Sequence, residues 1–355
     1  MRVPWGLLPL GLPLALVLVP ATGALILPQA GLRRVLAGAL LTVTGIVVAV
    51  AALGTVGALH GPMLLAVMAL ATLTVLLVAR RRGLSWWQLP WRRAWSGETL
   101  PLLLVGLVAV VLAVVAAYYL PVWQWDALGY HLPYVNFALQ RGTFADIPTD
   151  VPYLSTYPHV VEDAFIAWRA LLPDDRLVEL AHLMFGLLGA LAIATIARGS
   201  GARTDHAVAA GAAWLTLPAV FLQLPSNYTD VASAALLLTA VAFVLAPMQR
   251  APLMLAGIAI GLFLGSKPNA PVAAALLLVV ISVRSYRAGR RETILLAWLA
   301  ALALGGPTYA MNTARHHNPV WPVRVDVGPL HLPGTQACRR CCARGRPRRI
   351  WTARC

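Results

Sequence analysis

Long stretches without a charged residue are the feature that most restricts how this chain can fold. An α-helix needs roughly 20 apolar residues to cross the hydrocarbon core of a bilayer. Charge-free stretches cover residues 3–32, 35–79, 99–125, 180–197, 206–229, 231–249, 251–266, 268–283 and 293–314. The second is long enough for two spans, with a break at His60-Gly61-Pro62. Only 12% of the residues are charged, about half the share of a soluble protein. The sequence therefore predicts an all-α polytopic membrane protein with about ten transmembrane helices.

The charged residues are divided unequally between the predicted sides of the membrane. The seven arginines near the C-terminus are left out of this count. With the N-terminus outside, one side carries 14 basic and 3 acidic residues, and the other side carries 7 basic and 10 acidic residues. Cytoplasmic loops are enriched in Lys and Arg, so the first side is predicted to be the cytoplasm. The formal charge of +15 then reflects topology, and nucleic acid is excluded as a partner. Alternatively, residues 1–23 form a signal peptide, which would invert the topology.

One predicted outer segment, residues 121–178, is much longer than the other outer connections. Long loops are usually functional. Within it, Val161, Phe165, Trp168 and Leu172 recur at helical spacing, with charged side chains elsewhere on the helix. We therefore expect an amphipathic helix that lies on the outer membrane surface.

Asp126 lies at the mouth of the fourth predicted span, next to Trp125 and apolar residues. A carboxylate at a membrane edge is costly to desolvate and is a candidate for function. Burial beside an indole ring would raise the pKa of this carboxyl toward the range of a general base. Two structural roles stay open: a helix-end charge in the headgroup region, and an N-cap for a helix that starts near Ala127.

Two further charged residues are predicted to face the same outer space. Asp230 opens the seventh predicted span, where it can cap the helix or belong to a site. Lys267 is the only lysine in the chain and separates two short apolar stretches. Its cation suits a phosphate or pyrophosphate group, and snorkelling to the membrane interface is the competing explanation.

Four motifs follow one another between about residues 100 and 333. They are Trp125-Asp126-Ala127-Leu128-Gly129-Tyr130-His131-Leu132-Pro133 with Tyr157-Pro158 and Glu162; Asn227-Tyr228-Thr229-Asp230; Gly261-Leu262-Phe263-Leu264-Gly265-Ser266-Lys267-Pro268; and Asn312 with His317-Asn318-Pro319-Val320-Trp321-Pro322. Their composition and order resemble bacterial membrane glycosyltransferases of the GT-C type. These include family 39 protein mannosyltransferase-like enzymes and the aminoarabinose transferases of lipid A.

The resemblance implies a reaction on the outer face of a bacterial inner or plasma membrane. A sugar would move from a polyprenyl-phosphate donor to a hydroxyl of a lipid, glycan or protein acceptor. Asp126 would be the general base, with Glu162 or Asp163 as a second acid near the acceptor, and Lys267 would hold the departing phosphate. The residues implied to line the substrate pocket are Tyr130, His131, His159, Asp230 and Asn312. This fits the chemistry, since glycosyl transfer needs a base at the acceptor and a cation at the leaving phosphate.

No cofactor is predicted, because the outer acids show no spacing typical of a divalent-metal site. The predicted domains are residues 1–98, with extra helices and a cytoplasmic Arg/Trp loop; residues 99–334, the GT-C-like membrane core; and residues 335–355, a basic Cys/Arg tail. All four cysteines lie in this tail. Its composition favours an out-of-frame or disordered extension, and hence an enzyme that is truncated at its C-terminus.

Two other classes of function share these features. A transporter or flippase of lipid-linked saccharides would also need apolar spans and a phosphate-binding lysine. Such proteins are often built from inverted repeats, and the two halves of this chain show no convincing similarity. A membrane protein that keeps the GT-C fold without catalysis is the third class.

Overall fold

The computed structural model describes residues 6–29, 31–85, 95–144 and 151–337. Within these residues the chain is predominantly helical and divides after Gly306 into two compact units. The helices of the first unit are α1 Leu8–Ile26, α2 Leu32–Thr55, α3 Gly61–Arg81, α4 Leu100–Tyr119, α5 Leu132–Arg141, α6 Tyr153–Thr156, α7 Val160–Leu171, α8 Leu180–Gly199, α9 Thr204–Thr216, α10 Pro218–Phe221, α11 Asp230–Val244, α12 Arg250–Leu264, α13 Ala270–Arg287 and α14 Arg291–Gly305. A π-helical turn, Ala127–His131, precedes α5.

Six of the described helices are long and apolar enough to cross a membrane: α1, α2, α3, α4, α8 and α13. A seventh span results if α14 and the following helix, α15 (Pro307–His316), are counted together. The predicted all-α membrane protein is therefore confirmed in class. The second charge-free stretch is divided into two helices as predicted, but the break covers residues 56–60, so Gly61 and Pro62 already belong to α3.

The remaining apolar stretches form shorter helices. The predicted span over 206–229 is divided into α9 and α10, and Pro218 stands at the break because its ring nitrogen cannot donate a helical hydrogen bond. Helices α11 and α12 have 15 residues each, which corresponds to about 22 Å at 1.5 Å per residue. The count of ten spans thus stays a prediction.

Several helices of the first unit meet at one end, which we call the site end. Helices α4 and α12 end there, and α8 and α11 begin there. The Leu177 amide, just before α8, donates to the Ala117 carbonyl near the end of α4 over 3.3 Å. The Val160 amide at the start of α7 donates to the Gly265 carbonyl after α12 over 3.0 Å. The site end is therefore assembled around α7.

The helix predicted over residues 161–172 is confirmed as α7, but its predicted place on the membrane surface is wrong. Most of its side chains are buried, including Glu162, Phe165 and Trp168. It packs against α2, α3, α5 and α8. Ala167, about 200° around the helix from Phe165, is buried as well, so the helix has no broad polar side to present to water.

Helices α12 and α14 are held close together by small residues. A Cβ atom at Gly261 would lie 2.9 Å from Cα of Ala301 and 3.0 Å from the carbonyl oxygens of Ala300 and Ala301. Gly257, one turn earlier, meets Ala297 in the same way. Small residues spaced four apart let membrane helices approach each other closely, so this contact depends on the missing side chains.

Replacing Gly261 with valine should destabilise the protein by about 2 kcal/mol, a typical cost of overpacking a tight contact. Thermal unfolding of the purified protein in detergent measures the loss. Gly45→Val is the matched control, since nothing lies within 4 Å of the Cβ that Gly45 lacks. Equal melting temperatures for the two variants would show that the α12–α14 contact tolerates a side chain.

The second unit, described to residue 337, contains α15 and a small sheet. Strand β1 (Val323–Val327) pairs antiparallel with β2 (Leu330–Leu332) and parallel with β3 (Gln336–Ala337). The sequence did not predict this sheet. Asn318 organises it by donating to the carbonyls of Val323 (2.8 Å) and Pro333 (2.7 Å). Residues 336–337, which the sequence analysis assigned to the tail, belong to the sheet. Residues 338–355, with all the cysteines, lie outside the described residues.

Candidate functional site

The candidate site begins with the π-helical turn that follows α4. Pro133 lies second in α5 and has no N–H to donate to the carbonyl four residues earlier, which favours a local widening of the helix. Such π-turns are frequent at functional sites. The turn brings the Tyr130 hydroxyl close to the Asp126 carboxylate, so that the two groups interact electrostatically and the phenol can donate to the carboxylate. Asp126 itself is partly exposed.

The surroundings of Asp126 differ from the prediction. Trp125 is 83% exposed, so its indole does not bury the neighbouring carboxylate. The N-cap alternative is not supported either, since Asp126 precedes the π-turn without a side-chain capping hydrogen bond. Asp126 is instead held by Tyr130, and it stays open to an incoming group.

A buried cluster of one carboxylate and two imidazoles lies behind this turn. Glu162, which is 2% exposed, has its Oε1 atom 2.7 Å from Nδ1 of His131 and 3.6 Å from Nδ1 of His159. Burial by itself raises the pKa of Glu162, but the hydrogen bonds and charges of the two histidines outweigh it and lower the pKa to about 2. Glu162 is therefore ionised at neutral pH, and Nδ1–H of His131 is the donor.

Aromatic rings enclose this cluster. His159 stacks on Tyr134 with ring centroids 3.8 Å apart. The centroid of the Tyr130 ring lies 4.2 Å from that of His131, 5.6 Å from that of Tyr153 and 6.1 Å from that of Tyr157. Burial, followed by the charge and hydrogen bond of Asp126, raises the pKa of Tyr130 far above its ordinary value. This phenol therefore acts as a hydrogen-bond donor.

Asp163 differs from its neighbour Glu162 in the direction in which its pKa is shifted. Burial, and next the negative charge of Glu162, raise the pKa of Asp163 well above its ordinary value. No hydrogen-bond partner for its Oδ1 atom occurs in the described part of the chain. Two adjacent carboxyls with little access to water are costly to ionise together, so the ionised Glu162 favours a proton on Asp163.

Asp230 and Lys267, which are both predicted to face the outer side, contact each other. The Lys267 ammonium donates directly to an Asp230 carboxylate oxygen. The predicted cap at Asp230 is corrected, because Thr229 occupies the N-cap position and Asp230 lies in the first turn of α11. There its charge still faces the positive end of the helix dipole.

His182 is a site-end residue that the sequence analysis missed. Its Nδ1 atom donates to the Gln223 carbonyl over 2.8 Å, and its Nε2 accepts from the Ala232 amide over 3.2 Å. It thereby ties the start of α8 to the start of α11. A histidine in the first turn of an apolar span is itself unusual, and this could have identified it.

A cavity of about 590 Å³ opens beside the π-turn, between the end of α4 and the start of α8. Its polar lining includes Glu179, Arg176, Asp175 and Asn136, and its apolar wall comes from the tyrosines and leucines around Leu120. None of these residues was predicted. Burial raises the pKa of Glu179 to about 7, and a hydrogen bond with Gln124 offsets only part of that shift.

The raised pKa of Glu179 predicts a pH-dependent stability. Because the folded pKa lies above the ordinary 4.5, the protonated carboxyl stabilises the fold below that pH. This contribution is lost as the pH rises through about 7. We expect Glu179→Gln to melt at a higher temperature than the wild type at pH 8, and the difference to shrink at pH 5. Glu98→Gln, which alters an exposed carboxyl, is the control; a constant difference across pH would contradict the prediction.

Two other predicted residues have structural roles. Asn312 lies in the second unit, where its side-chain amide donates to the Pro319 carbonyl over 3.3 Å. His159 is mostly buried between Tyr134 and Glu162. Among the described residues, no group of three or more His, Cys, Asp or Glu side chains is arranged to hold a metal ion.

The site end combines several charged and polar groups. An accessible carboxylate is held by a phenol in front of a rigid, buried carboxylate–imidazole cluster, and a lysine–aspartate pair and a polar cavity lie at the same end of the bundle. No family model, curated protein or solved structure matches this chain.

Proposed function

We propose that the protein is a membrane glycosyltransferase that moves a sugar from a polyprenyl-phosphate donor to an acceptor hydroxyl. The observation that carries the proposal is the Asp126 carboxylate, which is partly exposed and lies beside the Tyr130 hydroxyl at the site end. The four motifs that resemble GT-C enzymes support it. So does Lys267, a cation at the same end of the first unit.

In this mechanism the acceptor oxygen attacks the anomeric carbon of the sugar while Asp126 takes the proton of that hydroxyl. The bond between the anomeric carbon and the phosphate oxygen breaks, and the lipid phosphate leaves with the electron pair. Phosphate needs no proton to depart, so one base is sufficient. A positioned general base contributes about 10² to 10⁴ in rate.

Lys267 would stabilise the negative charge that develops on the leaving phosphate. Its ammonium already pairs with Asp230, which keeps the cation in place at the end of α12. Asp230 is half-exposed and Lys267 is less so. A phosphate that binds the lysine would share the cation with the Asp230 carboxylate.

The proposed role of Glu162 changes with its burial. A side chain that is 2% exposed is poorly placed to contact an acceptor, and the raised pKa of Asp163 makes its carboxyl less available as an anion. Glu162 is better suited to orient His131, which in turn contacts Tyr130. We therefore propose that Glu162 and His131 are positioning residues for the Tyr130–Asp126 pair, and that Asp126 alone is the base.

We also propose where the site lies relative to the membrane and where the substrates bind. Ten spans, with the site end facing the outside of a bacterial inner or plasma membrane, agree with the distribution of Lys and Arg. The acceptor would be a lipid, glycan or protein hydroxyl. The cavity beside the π-turn, with Glu179 and Asn136 among its polar residues, would receive part of the acceptor or donor.

The test is sugar transfer by the purified protein in detergent or lipid discs. A radiolabelled polyprenyl-phosphate sugar serves as donor, and extracted envelope lipids or glycans serve as acceptors. We expect label to move from the donor to the acceptor fraction. Label that stays on the donor in every acceptor fraction would overturn the proposal, and translocation of the intact donor across vesicles would identify a flippase.

A further inference from the structure

A second cavity lies at the end of the first unit opposite the site end. It has a volume of about 520 Å³ and is formed where α1 and α8 end and where α2 and α12 begin. Helix α8 has 20 residues and so separates the two ends by about 30 Å. This cavity therefore shares no residue with the candidate active site.

Three arginines line this cavity: Arg33, Arg34 and Arg198. No Asp or Glu occurs among the described residues that line it. The other polar groups are the side chains of Gln29, Thr195 and Gln249. A concentration of positive charge without a carboxylate favours an anionic occupant.

Arg34 is the most informative of the three. It is only 4% exposed, and its guanidinium donates to two neutral carbonyls, those of Ser85 at 2.5 Å and Pro28 at 3.5 Å. In the described part of the chain it forms no ion pair with a carboxylate. A buried charge without a counterion is unfavourable. An anion in the cavity would supply the counterion that Arg34 lacks among the described residues.

Arg33 adds a second observation of the same kind. Its Nε atom is buried and has no hydrogen-bond partner among the residues that the structure describes. A guanidinium presents five donors in a rigid, planar arrangement that matches the oxygens of a phosphate. The donors of Arg33 are thus available at the wall of the cavity.

Two helices, α2 and α12, also begin at this cavity. The N-cap residues of α2 and α12 are Gly31 and Gln249, and neither makes a side-chain capping hydrogen bond. The first amides of a helix lack partners within it, and the helix dipole adds partial positive charge there. Such an end binds phosphate groups readily. The C-terminal end of α8 contributes partial negative charge, which the guanidinium of Arg198 offsets.

We propose that this cavity binds a phosphate group, supplied by the headgroup of an acidic membrane phospholipid. Basic pockets between membrane helices are known sites for such headgroups. Ile26, Leu27 and Leu32 line the same cavity and would contact the apolar part of the lipid. Free phosphate has the same chemistry at its oxygens, so the experiment must distinguish the two sources.

The experiment measures lipid binding to the full chain, purified in neutral detergent. The probes are phosphatidylglycerol, phosphatidylcholine with the same acyl chains, and inorganic phosphate. The test variant is Arg33→Gln with Arg198→Gln, which leaves the deeply buried Arg34 in place so that the protein folds. The matched control is Arg82→Gln with Arg287→Gln, which removes two exposed arginines that do not line the cavity.

We expect phosphatidylglycerol to bind the wild type and the control alike, and the test variant at least tenfold more weakly, since two of the three guanidiniums that would contact the phosphate are missing. Phosphatidylcholine should bind weakly to all three. Competition by millimolar inorganic phosphate would assign the site to free phosphate, and its absence to the lipid headgroup. Equal phosphatidylglycerol binding by the test and control variants would overturn the proposal.

Discussion

Replacing Asp126 with asparagine should lower the rate of sugar transfer by a factor of about 10² to 10⁴, the usual contribution of a general base. Asparagine keeps the size of the side chain and can still accept the Tyr130 hydrogen bond. It cannot take the proton of the acceptor hydroxyl. The measurement is initial transfer rate from a polyprenyl-phosphate sugar at saturating donor, with the folded state checked by melting temperature.

Asp174→Asn provides the matched control for this prediction. Asp174 is an exposed acid on the same loop segment, so its replacement changes the same charge away from the π-turn. Its rate should equal that of the wild type. Tyr130→Phe should give an intermediate loss, because the base remains but loses its orienting hydrogen bond. Full activity of Asp126→Asn would remove this residue from the mechanism.

Removal of the Glu162 side chain should destabilise the protein by about 3 kcal/mol, because the loss of one partner leaves a buried polar group without compensation. In the wild type, Nδ1 of His131 lies 2.7 Å from Oε1 of Glu162. In Glu162→Ala the Nδ1–H group would have no acceptor. Reversible unfolding in mixed micelles measures the free energy. Glu292→Ala, at an exposed position, should change it little.

The contact between Glu162 and His131 predicts that stability depends on pH in the opposite direction to the effect of Glu179. The folded pKa of Glu162, about 2, lies below its ordinary 4.5. Its contribution to stability is therefore present above pH 4.5 and is lost as the pH falls toward 2. The stability difference between wild type and Glu162→Ala should shrink over that range. A double-mutant cycle with His131→Ala should give a coupling of about 1 to 3 kcal/mol; independent effects would contradict the ion pair.

The membrane helices could be predicted because hydropathy is a local property. A run such as Leu100–Tyr119 has no stable place in water, and its length matches a bilayer. The helix at Val160–Leu171 was also predictable, since its apolar residues recur at helical spacing. Its burial was not, because the same periodicity describes a helix on a membrane and a helix wedged among others.

The candidate site was predictable only as a set of residue types. Asp126, Glu162 and Lys267 attracted attention because charge is rare in this chain. Their partners are distant in sequence: Glu162 lies 31 residues from His131, and Lys267 lies 37 residues from Asp230. No spacing rule predicts such pairs.

The sequence by itself determined that the chain belongs in a membrane, where most of its helices begin and end, and which few charges are costly enough to matter. Only the tertiary structure decided which of those charges are paired and which stay accessible. The physical reason is that ionisation and access depend on burial and on neighbours contributed by other helices. Glu162 and Asp163 are adjacent acids in one helix, yet His131 from another element and His159 lower the pKa of the first, while burial and the charge of Glu162 raise the pKa of the second.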